Sequence, residues 1–189
     1  MISRKPFAAV THVGITVYDF EKMLDFYLRL FDFHVSDQKT MDNGRKVAFL
    51  TMDPNEHHQL VLGSGRPENI DFNPVNQISF RTENLKSVKR YWKLCVQDPE
   101  VEIQRTITHG NAWSIYFFDP EGNRLEIYAD TPWQVTQPYV VDMDFNKSNQ
   151  EIYSLTKSIV HSEDYFEPLV DWRRKTASVM GLDDWPIRD

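Results

Sequence analysis

Thr11-His12-Val13-Gly14-Ile15-Thr16-Val17 alternates in character, and Asn76-Gln77-Ile78-Ser79-Phe80-Arg81-Thr82 repeats the run 65 positions later. A period of two is the signature of a strand with unlike faces. Each run leads to a short polar residue suited to capping a helix, Asp19 in the first case and Asn84 in the second. Apolar residues at helical spacing follow: Phe20, Met23, Leu24, Tyr27 and Leu30, then Leu85, Val88, Tyr91, Trp92 and Cys95. The offset runs without a gap from Thr11 to Leu30. Strand, cap and helix in register over about 20 positions mark an internal duplication.

Working outward, shorter β-like pieces follow each helix. They are Arg45 to Met52 and Gln59 to Leu62 in the first half, then Ala112 to Phe118 and Arg124 to Tyr128 in the second. Each half reads as βαβββ. The expected class is α+β: two modules, about residues 7–65 and 74–130, combine into one sheet-lined cleft within a single domain over residues 1–135. Residues 136–189 form a C-terminal extension, entered through extended pieces at Thr131-Pro132-Trp133 and Gln137-Pro138-Tyr139. Ser148-Asn149-Gln150-Glu151 is a capping box that opens a helix with Ile152, Leu155 and Ile159 on one face. A second helix is expected from about Pro168 to Gly181. Both should pack outside the cleft or at a dimer interface, and carry no chemistry.

Composition narrows the function. The 189 residues are 41% apolar and 26% charged with a net charge of −7, and the sequence shows no basic patch. Nucleic acid and anionic lipid are therefore not expected partners. A single cysteine, Cys95, excludes an internal disulfide and any zinc site built from several thiolates. Met1 to Phe7 has no apolar leader, and no run reaches the ~18 apolar residues of a membrane span, so a cytoplasmic protein is expected.

The chemistry should come from one face of each first strand. Val13, Ile15 and Val17 must meet the helix, which leaves His12, Gly14 and Thr16 on the other side, with Gln77, Ser79 and Arg81 as their counterparts. In Trp113-Ser114-Ile115-Tyr116-Phe117-Phe118-Asp119-Pro120-Glu121-Gly122-Asn123-Arg124-Leu125-Glu126, the Asp119 to Asn123 segment reads as a hairpin loop. That register pairs Phe118 with Arg124 and sets Tyr116 opposite Glu126 on one face. Period two also gives His58, not His57, the face of Leu60 and Leu62, and so aims His58 into the cleft.

The duplication, the helix around Lys22 to Tyr27 and the run from His109 to Glu126 resemble the vicinal oxygen chelate superfamily over residues 7–135. Within it they are most similar to one-domain type I extradiol ring-cleaving dioxygenases. The resemblance implies that His12 and Glu126 are iron ligands, Tyr116 hydrogen-bonds a bound catecholate, His58 is an acid-base histidine and His109 a further active-site histidine. Gln77 stands where the dioxygenase pattern has its second histidine ligand, and its amide oxygen is the donor expected there. The implied cofactor is Fe(II), with Mn(II), Zn(II) or Ni(II) as alternatives. The implied substrates are an aromatic diol and O₂, and a homo-oligomer is expected. A glyoxalase-like metal-dependent lyase or isomerase and a non-catalytic aromatic-ligand binder are the alternatives.

Overall fold

The computed structural model describes residues 8–68 and 73–188, so the reading of Met1 to Phe7 lies outside the described residues. The chain divides into two compact units with the boundary between Asn73 and Pro74.

In the first unit, β1 (Val13–Val17) leads to α1 (Phe20–Phe31), then β2 (His34–Thr40), β3 (Lys46–Thr51) and β4 (Leu60–Ser64). The sheet order is β1-β4-β3-β2, with β1 parallel to β4 and the other pairs antiparallel. Helix α1 starts where the Asp19 carboxylate accepts from the Lys22 amide at 3.1 Å. It stops at Asp32, whose left-handed backbone (φ 59°) turns its N–H onto the Leu28 carbonyl. Its apolar stripe is buried, and Met23, Phe26 and Tyr27 have 0% exposure, as do Ala48, Leu50 and Leu62 of the sheet. Burying each of the larger ones, such as Met23, Phe26 and Leu50, contributes about 1.5–3 kcal/mol of transfer free energy.

The second unit repeats this: β5 (Ile78–Arg81), α2 (Leu85–Gln97), β6 (Glu102–Thr108), β7 (Ala112–Phe118) and β8 (Arg124–Asp130). Its sheet order, β5-β8-β7-β6, matches that of the first unit, with β5 parallel to β8. Asn84 caps α2 as Asp19 caps α1. The duplication extends to a detail: β2 and β6 each carry a register shift, between Val35 and Asp37 and between Ile103 and Arg105. These two strands complete the βαβββ count. Neither announces itself in the sequence, because β2 (His-Val-Ser-Asp-Gln-Lys-Thr) is mostly exposed and buries no apolar face.

Beyond β8 come β9 (Trp133–Val135), β10 (Val141–Asp142), α3 (Asn149–His161), β11 (Phe166–Pro168) and α4 (Leu169–Val179). Strand β10 extends the second sheet beside β6, and β11 pairs with β9. The Ser148–Glu151 capping box is present. The buried row of α3 differs from expectation: it is Ile152, Thr156 and Val160, while Leu155 is exposed. Thr156 earns a buried place because its hydroxyl accepts the indole N–H of Trp113 at 2.8 Å and donates back to the Ile152 carbonyl. A search for apolar spacing passes over such a residue.

Cys95 takes the core position on α2 that Leu30 takes on α1. Burial pushes its thiol up to about 12. At pH 8 the native protein should therefore resist a thiol-titrating disulfide reagent, with full reaction only after denaturation. Rapid labelling of the native chain would contradict this packing.

Candidate functional site

The turn at Asp119 sets the register of the β7–β8 hairpin. Its carboxylate accepts the amides of Glu121 and Asn123 at 3.0 and 2.8 Å and the Asn123 side chain at 2.7 Å. Gly122 closes the loop with φ 76°. The ladder then pairs Phe118 with Arg124 and Tyr116 with Glu126, and on the far side of β8 the parallel β5 sets Ser79 beside Glu126. Alternation sends Ile115, Phe117, Leu125 and Ile127 into the core, all at 0% exposure. Tyr116, Glu126 and Ser79 share the opposite face.

On that face Glu126 is buried at 6% exposure. One oxygen, Oε2, accepts from the Gln77 side-chain amide at 2.8 Å and from the Ser79 hydroxyl at 2.5 Å. The other, Oε1, accepts from the Tyr116 hydroxyl at 2.6 Å. His109 stands in the loop between β6 and β7, with Nδ1 at 2.8 Å from the Tyr139 carbonyl and Nε2 at 3.0 Å from the Tyr116 hydroxyl. Burial, then the hydrogen bond to Glu126 and its charge, push the Tyr116 phenol well above its ordinary range. The Arg124 guanidinium lies over the Tyr116 ring at 4.3 Å.

The hydrogens on this chain can be counted. A carbonyl only accepts, so Nδ1 of His109 donates to Tyr139. Tyr116 has a single proton and two neighbours able to accept it, Glu126 Oε1 and a neutral Nε2. The Tyr116 hydroxyl donates to Glu126 Oε1 and also meets Nε2 of His109, which joins the three side chains in one hydrogen-bonded line. The arrangement is a proton path that ends on a buried carboxylate.

In the first unit, His12 and His58 are brought together with ring centroids 4.4 Å apart. His58 also packs on Phe49 at 5.1 Å. The period-two reasoning for His58 fails, because Leu60 and Leu62 turn toward the core and His58 sits in the loop before β4. Its place is set instead by the loop, where Gln59 bridges Leu50 and Val13 through its backbone. Nδ1 of His58 lies 2.9 Å from Nδ1 of His57, whose Nε2 is 2.8 Å from the Asp37 carboxylate. The Asp37 carboxylate accepts a hydrogen bond from Nε2 of His57. The lone pair then left on Nδ1 of a neutral His57 accepts from Nδ1 of His58, so Nε2 of His58 is left as a base. Burial first, then the charges of His12 and His57, lower the His58 pKa.

Gln77, Tyr116, Glu126 and His109 thus form one hydrogen-bonded group in the second unit, while in the first His12 and His58 meet by ring contact. Two partners were not singled out in the sequence, and a third, Ser79, was placed on this face by its alternation with Gln77 but given no role. Asp37 and the Tyr139 carbonyl carry no local signal, since both meet their histidines through tertiary contact.

A glyoxalase/bleomycin resistance protein/dioxygenase superfamily model matches residues 9–127. The chain belongs to this superfamily. It is 30% identical over 134 residues to biphenyl-2,3-diol 1,2-dioxygenase 2 of Rhodococcus globerulus, spanning 66% of each protein. It is 32% identical over 108 residues to the metapyrocatechase of Pseudomonas sp. strain CF600, spanning 54% of this chain and 33% of that one. The match thus spans just under two thirds of the first relative and one third of the second. The fold is shared with the fosfomycin resistance protein FosX of Listeria monocytogenes, solved with Mn(II) and sulfate, at a TM-score of 0.51 and 20% identity, covering 69% of this chain and 95% of FosX. The superfamily match ends before β9, so the extension from Trp133 onward lies outside it.

The superfamily implies a divalent metal; among the described residues no three His, Cys, Asp or Glu side chains are gathered for one, and what this face offers is the Glu126 carboxylate with the Gln77 amide beside it. A buried carboxylate needs a compensating charge, and a cation supplies it. Ser114, on the face of Tyr116, is buried with its hydroxyl unpartnered, so this face holds polar atoms beyond those its own side chains satisfy. Gln77 currently offers Glu126 its NH₂ group, and ligation would require the amide to rotate and present its oxygen.

Proposed function

We propose that the chain is an extradiol dioxygenase that opens a substituted catechol with O₂, with Fe(II) held by His12, Gln77 and Glu126. The observation that supports it best is the proton path from His109 through Tyr116 to Glu126. Catechol oxidation requires protons to leave two phenolic oxygens and one to return, and a phenol held between an imidazole and a carboxylate can donate to a substrate oxygen without free water. When bound, iron supplies the one-electron chemistry by which ground-state O₂ reacts with a catechol. The protein's own groups do the rest. Tyr116 orients the substrate oxygen by hydrogen bonding, His109 backs the Tyr116 hydroxyl through Nε2, and His58 offers Nε2 as a base.

The test is anaerobic loading with Fe(II), then addition of a catechol panel and oxygen. A yellow ring-fission product with matching O₂ uptake is expected, and its absence with every catechol would end the proposal. His58→Ala should lower turnover by about 10² to 10⁴-fold at unchanged iron content. Equal loss of iron would make His58 a ligand.

Gln77 favours the second reading, a glyoxalase-like lyase or isomerase on Mn(II), Zn(II) or Ni(II), because a carboxamide is a harder and weaker donor than imidazole. Gln77→His separates the two. In a dioxygenase it should raise Fe(II) retention on gel filtration and preserve or increase ring cleavage. Failure to create any cleavage in a wild type that lacks it would move the assignment to the second reading.

A further inference from the structure

On α2, Lys86, Lys89, Arg90 and Lys93 fall at spacings of three, four and seven, so they project from one side of the helix. All four line one groove of about 510 Å³, with Glu83 and Asn149 at its edge. This is a local basic patch in a chain of net charge −7, and the linear sequence hides it among intervening residues. Among the described residues no carboxylate forms an ion pair with any of the four, although Glu151 and Asp144 lie near enough to act on Lys89. Lys89 donates to the Lys147 carbonyl. Burial, then the neighbouring charge of Lys93, lower its pKa against the opposing pull of Glu151 and Asp144.

The groove adjoins a second cavity of about 750 Å³, for Glu83, Asn84, Lys86 and Asn149 line both. That volume is within the range of small-molecule sites. Its walls are largely apolar: Trp113, Pro132, Tyr153, Leu169 and Val170. The Trp113 indole N–H is already satisfied by Thr156, so the ring offers a guest only its π surface. Arg173 at the wall is held by Asp130 at 2.6 Å. The first residues of α2, α3 and α4 all contribute to the lining, and helix starts favour negative charge. Trp113 shares the core side of β7 with Ile115 and Phe117, so this cavity is on the opposite side of the sheet from Glu126.

We propose that the second unit carries a further binding site, built with the C-terminal extension, for an amphipathic organic phosphate. The apolar or aromatic body occupies the chamber beside Trp113 and Tyr153. The phosphate rests on Lys86, Lys89, Arg90 and Lys93, whose donors match a dianion better than the single charge of a carboxylate. Neither part alone defines the guest: the chamber selects an apolar body, and the shelf selects the charge.

The experiment is calorimetric titration of the full chain with 1-naphthyl phosphate, inorganic phosphate and 1-naphthol. Naphthyl phosphate should bind saturably and at least about tenfold more tightly than either fragment. The double variant Lys86→Glu/Arg90→Glu, confirmed folded by its melting transition, should lose that binding by about tenfold or more. Val170→Trp should fill the chamber and remove the advantage of the naphthyl group over inorganic phosphate. Equal affinity for naphthyl phosphate and inorganic phosphate, or unchanged affinity in the charge-reversed variant, would overturn the proposal. Saturable binding seen only with phosphatidylglycerol vesicles or single-stranded RNA would also overturn it, and would assign the basic face to that partner.

Discussion

Glu126→Gln is expected, on the proposed dioxygenase function, to abolish ring fission, a fall of at least about 10⁵-fold, and to remove the capacity to retain Fe(II). The carboxylate accepts three hydrogen bonds, from Gln77, Ser79 and Tyr116, and it is the acid in the second unit's cluster of candidates. An amide of the same shape has no charge for a cation and turns one acceptor oxygen into a donor facing donors. Stability should change little, within about 1 kcal/mol, because the substitution also removes a buried charge. Metal analysis, O₂ uptake and a melting curve on one preparation check all three expectations. A variant that keeps its iron and its turnover would show that Glu126 is not a ligand, and the dioxygenase reading would fall with it.

Gly110→Ala should cause the largest loss of stability among single methyl additions at the chain's glycines. Gly110 sits at φ 73°, and a Cβ there would come to 2.4 Å from Cγ2 of Val135 and 3.3 Å from the Tyr139 ring. The left-handed backbone costs about 1–2 kcal/mol for an alanine, and overpacking costs about 1–3 more. The sum, about 2–5 kcal/mol, lowers the melting temperature by roughly 4–20 °C in a chain of this size. The neighbouring His109 depends on the same contacts, because its Nδ1 partner is the Tyr139 carbonyl. Ring fission should therefore fall with stability. Adding Val135→Ala should recover part of the loss, since the clash is with that side chain, leaving the backbone cost. An unchanged melting temperature for Gly110→Ala would show that the loop does not hold this conformation.

The sequence made the fold legible wherever local pattern and long-range order agree. Two alternating strands, two capped amphipathic helices and a hairpin turn are each written in about ten residues, and the 65-residue offset ties them together. The pairing of Tyr116 with Glu126 followed from loop length alone, because an antiparallel register is fixed once the turn is known. Strands β2 and β6 were implied by the count but not located: a strand that buries little apolar surface leaves no periodic trace. The site was legible to the extent that its residues sit on such elements, as Tyr116 and Glu126 do, or directly beside one, as Gln77 does before β5.

What only the tertiary structure decided is which polar groups meet. Burial on a sheet face can be inferred from alternation, but a hydrogen bond between Asp37 and His57, or between His109 and the Tyr139 carbonyl, joins segments 20 and 30 residues apart. Such contacts depend on how loops close over a packed core, and loop closure is governed by the whole chain rather than by neighbours in sequence. His58 is the clearest case: its ring lies against His12 although the periodicity used to place it follows Leu60 and Leu62 to the other face. The basic shelf of α2 was present in the spacing of Lys86, Lys89, Arg90 and Lys93, but the chamber beside it exists only because α3 and α4 fold back onto the second unit. The sequence by itself determined the duplicated scaffold and the residue types at its face. Packing decided their partners, because the energy of a buried polar group lies in what it touches.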